Sequence, residues 1–183
     1  MLLRAGLIYF LFGALFVLLI ALGCSQSPEP RRNLIVISMD TLRADRLGSY
    51  GYARSTSPTI DALGARGARF ARAHSPAPWT LPSHASIFTG LTPQVHATHG
   101  WGDKIPSSVP TLAELLRNAG WRTFGHTAGG FVSGRYGFSR GFEEYVDKLS
   151  GFKMTLNAAR RKIESLPADE PYFLFLQTFT VHC

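Results

Sequence analysis

The chain has 183 residues, 17% of them charged and 45% hydrophobic, with a formal net charge of +7 at pH 7. That balance excludes a disordered chain and leaves enough length for one sizeable core behind an apolar N-terminal segment. The positive charge suits an anionic ligand, but the basic residues are scattered through "RRN", "GARGARFARAH", "SGRYGFSR" and "AARRKIE". They lack the clustered basic and aromatic footprint of a nucleic-acid binder, so no nucleic-acid partner is expected.

Residues 1–24, "MLLRAGLIYFLFGALFVLLIALGC", place one cation ahead of a long apolar run. This is the pattern of an export signal peptide, and its length also suits an uncleaved membrane anchor. The "ALGCSQ" junction resembles a bacterial lipobox with Cys24 as the lipidated residue, although Leu22 stands where a smaller side chain is usual. Both readings expect a cell-envelope protein, outside the cytoplasm and tethered to a membrane, and the lipobox makes it a lipoprotein. Cys183 is the only other cysteine, which rules out a disulfide framework. Residues 25–32, "SQSPEPRR", read as a polar linker.

The folded part is expected from residue 33. "NLIVISMD" is a short apolar run rich in β-branched residues, predicting a strand buried on both faces of a parallel sheet and ending at Asp40. "TSPTIDALGARG" predicts a helix with Ser57 as N-cap, Pro58 in the first turn and Gly67 as the stop. "ARFARAH" alternates as a strand would. "TLPSHASIF" predicts a helix with Pro82 in its first turn and Thr80 just ahead of its N-terminus. "SVPTLAELLRNAG" predicts another, with Leu112, Leu115 and Leu116 on one face and Gly120 closing it. "WRTFGHTA" reads as a strand. "FKMTLNAARRKIESL" has apolar positions at 152, 156, 159, 163 and 166, a helical spacing, and "PYFLFLQTFTV" reads as a last buried strand. Strands alternating with helices, without an internal repeat, predict an α/β fold with a mainly parallel sheet.

Ligand sites in such sheets gather at the carboxyl ends of the strands, which draws attention to Asp40. A carboxylate there suits a hard cation, and it suits a cap for the turn through "TLRAD" equally well. Thr80 stands where backbone N–H groups and the helix dipole favour negative charge, although such a threonine is more often an ordinary cap.

The segments "NLIVISMDTLRADRLGSYGY", "TSPTIDALGARGARFARAHSPAPWTLPSHASIFTGLTPQVHATHG", "TLAELLRNAGWRT" and "PYFLFLQTFTVH" stand in an order and spacing that resembles the sulfatase family of the alkaline phosphatase superfamily. The resemblance runs from Asn33 to His182. It implies an α/β/α sandwich with a mainly parallel sheet, incomplete at the C-terminus, and makes 33–183 the N-terminal part of a truncated catalytic domain. It also implies a divalent metal cofactor (Ca, Mg, Mn or Zn) bound by Asp40 and an anionic ester as substrate. The family's neighbouring second acid is replaced by Thr41. "TLPSH" aligns with the "C/S-x-P-x-R" signature, which makes Thr80 the candidate nucleophile and a metal-contacting oxygen. His84 takes the place of the signature's arginine, as another candidate in the catalytic set. His182 matches a family histidine that contacts the substrate's anionic group, and so is a candidate for catalysis and for substrate binding. Lys104 is a further candidate for substrate binding, against the plainer reading of a solvated surface lysine. The lysine and histidine that typical sulfatases carry farther on are aligned with Ala128 and Gly130. The family's remaining metal ligands come from a later segment, so this stretch alone is expected to be inactive. The implied function is hydrolysis of sulfuric or phosphoric esters. Threonine does not undergo the family's oxidation to formylglycine, so a threonine-dependent phosphoryl-group transferase or phosphodiesterase is the second reading, and an inert binding relative the third.

Overall fold

A computed structural model of the protein describes residues 32–148 and 151–182. The signal or anchor segment, Cys24, the linker up to residue 31 and Cys183 lie outside them. Among the described residues no helix is long and apolar enough to cross a membrane.

Four strands form one all-parallel sheet: β1 (Leu34–Met39), β2 (Arg122–Thr127), β3 (Glu144–Val146) and β4 (Tyr172–Thr178), in spatial order β1-β4-β2-β3. The helices are α1 (Pro58–Ala65), α2 (Thr80–Thr89), α3 (Pro93–His96), α4 (Leu112–Asn118) and α5 (Phe152–Glu164). The α/β expectation therefore holds.

The sheet is organised by β4, which has a strand on either side of it. Phe173 and Phe175 project to one face, where they meet Leu81, Ala85 and Phe88 of α2 together with Phe138 and Phe142. Leu174 and Leu176 project to the other, against Phe124 and Ala159 of α5. Successive side chains alternate between faces, so a continuous apolar run is what a strand buried on both faces requires. Phe88 anchors the first core with edge-on ring contacts to Phe175 at 4.8 Å and Phe138 at 5.2 Å.

Several local expectations need correction. β1 is an edge strand among the described residues, and Ile35 and Ile37 are 46% and 52% exposed rather than buried on both faces. "ARFARAH" forms no strand; its residues are exposed and Phe70 packs into neither core, because no strand of the sheet pairs with it. Leu115 is exposed, since a helix as short as α4 buries only one narrow stripe, through Leu112, Ala113 and Leu116. Thr80 is the first residue of α2 and Trp79 occupies the N-cap position. The three-residue strand β3 had no counterpart in the sequence reading.

α4 starts with a reciprocal cap: Thr111 Oγ1 accepts from Glu114 N and Glu114 Oε2 accepts from Thr111 N. Arg140 donates to both carboxylate oxygens of Glu114 and to the carbonyls of Ile105, Pro106 and Val109, which ties the loop ahead of α4 to the loop ahead of β3. Gly141 follows at φ +82°, and a Cβ there would lie 2.1 Å from Glu114 N. No other residue fits.

The second core holds a buried titratable group. His126 on β2 is 1% exposed and neither ring nitrogen has a hydrogen-bond partner. Burial pushes its pKa below the ordinary 6.5; the Glu144 carboxylate works against that shift and the Lys162 ammonium adds to it. His96 is also buried and also lowered. Above pH about 6.5 these imidazoles are neutral both folded and unfolded. Below it the unfolded chain takes up protons that the fold refuses, so stability is constant at higher pH and falls as pH drops toward the folded pKa values. We expect the thermal midpoint to decline between pH about 6.5 and 5, with a slope of up to about 1.4 kcal/mol per pH unit for each such imidazole. His126→Leu should flatten that decline, and an unchanged pH profile in that variant would refute the assignment.

Candidate active site

β1 ends at the sheet edge where β4 also ends, and Asp40 N donates to Thr178 O at 3.0 Å. Thr41 follows at φ +60°, a conformation that costs a β-branched residue about 1–3 kcal/mol. It turns the chain out of the sheet at once, with Leu42 N donating back to Met39 O. The Asp40 side chain does not cap that turn. Its Oδ2 accepts from Thr80 Oγ1 at 3.2 Å, across to the start of α2.

The start of α2 is fixed by its own sequence. Leu81, Pro82, Ala85 and Phe88 are buried, and Gly90 closes the helix at φ +69°. Anchored on that face, the helix presents Thr80, half-buried, toward Asp40. His84, one turn on and 5% exposed, fills both ring nitrogens. Its Nδ1 lies 2.9 Å from Thr80 O, an acceptor only, so Nδ1–H donates. Nε2 then accepts the Ser38 hydroxyl at 2.8 Å. Burial holds the His84 pKa below its ordinary value, against the opposing pulls of the Thr80 carbonyl and the Asp40 charge. The ring is therefore neutral and ties the first turn of α2 to β1. Ser38 was not singled out in the sequence, but it stands two residues before Asp40, and in a strand that spacing puts both side chains on the same face.

Asp40, Thr80, His84 and His182 line one cavity of about 550 Å³, together with Ser38, Trp79 and neighbouring residues. His182 reaches it from beyond β4, with its N–H on Phe179 O at 2.8 Å and its ring edge-on to Phe179. Lys104 is exposed on a neighbouring loop and is not part of that lining. Ala128 and Gly130 offer no basic side chain at the positions aligned with the family's lysine and histidine.

Asp40 is 8% exposed, and a carboxylate that deep calls for a compensating cation. A carboxylate beside a hydroxyl is also the hard oxygen pair that a divalent metal accepts. Among the described residues no group of three or more His, Cys, Asp or Glu could hold a metal ion. Two oxygens, from Asp40 and Thr80, are fewer donors than a divalent cation takes.

The protein-family model described as Sulfatase matches residues 32–181. Arylsulfatase A of Bos taurus is 35% identical over 117 residues, which cover 60% of this chain and 23% of that protein. The chain thus matches about a quarter of the length of this curated relative. Among solved structures, a protein in complex with its substrate D-glucosamine-2-N,6-O-disulfate superposes with a TM-score of 0.70 at 19% identity, covering 80% of this chain and 34% of that one. The phosphonate monoester hydrolase of Agrobacterium radiobacter gives 0.67 at 19% identity, covering 84% and 42%. Likeness at that identity speaks for the fold.

Proposed function

The chain belongs to the sulfatase family, and from that premise we propose that it forms one wall of the active site of a hydrolase of sulfuric or phosphoric esters, with Thr80 as the nucleophile. The observation that carries this is the 3.2 Å contact between Thr80 Oγ1 and the buried Asp40, at the first turn of a helix that opens on a cavity.

Asp40 accepts the hydrogen bond from the Thr80 hydroxyl, which fixes the rotor and leaves both lone pairs of the oxygen free, one of them for the substrate. Helix α2 places its positive end at the same point, where negative charge develops as Oγ1 attacks. His84, held neutral between Thr80 O and Ser38, keeps that first turn in register, and so acts as a positioning residue. His182 is assigned to the ester's anionic group. A divalent metal held in part by Asp40 and Thr80 would supply charge neutralisation and a more acidic hydroxyl. Attack forms the bond from Oγ1 to sulfur or phosphorus and breaks the bond to the ester oxygen; the Thr80 proton passes through Asp40 to the departing alkoxide, and water then cleaves the threonyl ester, releasing sulfate or phosphate and returning the hydroxyl.

Family membership and the likeness to arylsulfatase A support an anionic ester of the sulfate type as substrate. The threonine favours phosphorus. Its oxygen cannot become the aldehyde hydrate that expels sulfate by collapse, so transfer of a phosphoryl group, to water or to an acceptor alcohol, suits it at least as well. The apolar leader and the "ALGCSQ" junction support an envelope location with membrane attachment. In enzyme expressed from the complete reading frame, 4-nitrophenyl phosphate should be turned over at least as fast as 4-nitrophenyl sulfate. A preference for sulfate of a hundredfold or more would sink the unmodified-threonine mechanism, and turnover of neither would sink the hydrolase reading.

A further inference from the structure

Trp101 is 77% exposed, the largest fractional exposure among the exposed large hydrophobic residues of the described chain. An indole left to itself on a surface is mobile, but this one is held. It stacks on Trp79 at 5.8 Å between centroids and 26° between planes, and Phe131 meets both rings edge-on, at 5.1 Å from Trp101 and 5.2 Å from Trp79. Its loop is braced as well. The Asp103 carboxylate accepts from His99 N at 2.8 Å and Gly100 N at 2.6 Å, Asp103 N donates to Gly100 O, and Thr98 Oγ1 reaches Lys104 O. Those two backbone donors, Gly100 first, hold the Asp103 carboxyl below its usual range. Trp79, in turn, lines the cavity and directly precedes Thr80.

We propose that Trp101 is a specificity-determining platform that stacks against a flat ring in the organic portion of the ester. This rests on the hydrolase reading of the cavity, and adds what the cavity prefers to hold. The packing argument for keeping a tryptophan here is weak, because the described residues leave three-quarters of it uncovered. What the arrangement provides is an apolar face set in position before binding, stacked on Trp79, the residue next to the nucleophile, so little side-chain entropy is lost when a ligand stacks. An aryl ring and the C–H face of a pyranose share this chemistry. An ester without a ring has nothing to place there.

The test uses 4-nitrophenyl, glucose-6- and methyl esters, each as phosphate and as sulfate, with enzyme from the complete reading frame. Trp101→Ala should raise KM for the ring-bearing ester about threefold to tenfold, leave its kcat within about twofold, and leave the methyl ester unchanged. Trp101→Phe should restore most of the loss. Whether the aryl or the glucose ester shows the effect identifies the ring. Calorimetric binding of the same esters in a Thr80→Ala background gives a readout that needs no turnover. There, loss of affinity on adding Trp101→Ala supports the platform even if the hydrolase reading fails. Equal affinity for ring-bearing esters with and without Trp101, or an equal loss for the methyl ester, overturns it.

Discussion

Thr80→Ala, in enzyme expressed from the complete reading frame, lowers ester turnover by about three to six powers of ten, the scale on which enzymes lose a nucleophile. The size of the effect follows from what no other described residue can replace. Ser38 donates its hydroxyl to His84 in the reading above, Ser83 lies within hydrogen-bond distance of Ser75, and His84 has both ring nitrogens engaged. The fold should survive the change. Thr80 is not the N-cap of α2, its helix is anchored through Leu81, Ala85 and Phe88, and alanine is the better helix former. Only the 3.2 Å hydrogen bond to the buried Asp40 carboxylate is lost, about 1.5–3 kcal/mol. Thr80→Ser keeps the oxygen and should stay within about a tenth of wild-type turnover, since only a methyl group is removed. A circular-dichroism spectrum matching wild type, alongside the collapsed rate, makes the reading one of chemistry. Wild-type activity in Thr80→Ala would return Thr80 to an ordinary first-turn residue.

How much of this site was legible in the sequence depended on the range of the interaction. Strands β2 and β4 and the buried face of α2 follow from local periodicity, because one strand or helix suffices to say which residues share a face. Asp40 and Thr80 could each be placed at the end of an element. Only the family resemblance, which sets both at one metal, brought them together; local pattern does not, because their contact depends on β1 lying beside β4 and on α2 crossing the face they share. The same holds for β1: "LIVIS" looks doubly buried as a string, and its true exposure is set by which strands flank it. The alternation of "ARFARAH" misled for a related reason, since a strand needs a partner as well as a pattern.

The chemistry of His84 was the least legible point. Its place at the position of a family arginine made it a catalytic candidate without saying what it bonds; the ring is neutral, buried and bonded at both nitrogens. A helix offset of four from Thr80 could have suggested a bond back to that carbonyl. The bond to Ser38 spans 46 residues and needed the fold. The Trp79, Trp101 and Phe131 cluster was equally hidden, because those three rings come from three separate loops and helix ends.

Asp40→Asn separates the two roles an acid at the end of β1 can have. The amide is the same size, and its oxygen can still accept the Thr80 hydroxyl, so the contact seen at 3.2 Å survives while the charge is lost. If the charge serves catalysis, by raising the field on Thr80 and holding a cation beside it, turnover should fall by about two to four powers of ten. Stability measured in a chelator should stay nearly unchanged. Among the described residues the Asp40 side chain is bonded by the Thr80 hydroxyl, and the amide keeps that bond. A Tm within about 2 °C of wild type is the expected outcome. A turn cap would give the opposite pair of results: activity nearly intact and stability reduced. The turn after β1 closes through Leu42 N on Met39 O without the carboxylate, which is why the first pair is expected. Loss of stability together with retained turnover in Asp40→Asn would remove Asp40 from the active site, and with it the case for a metal at this end of the sheet.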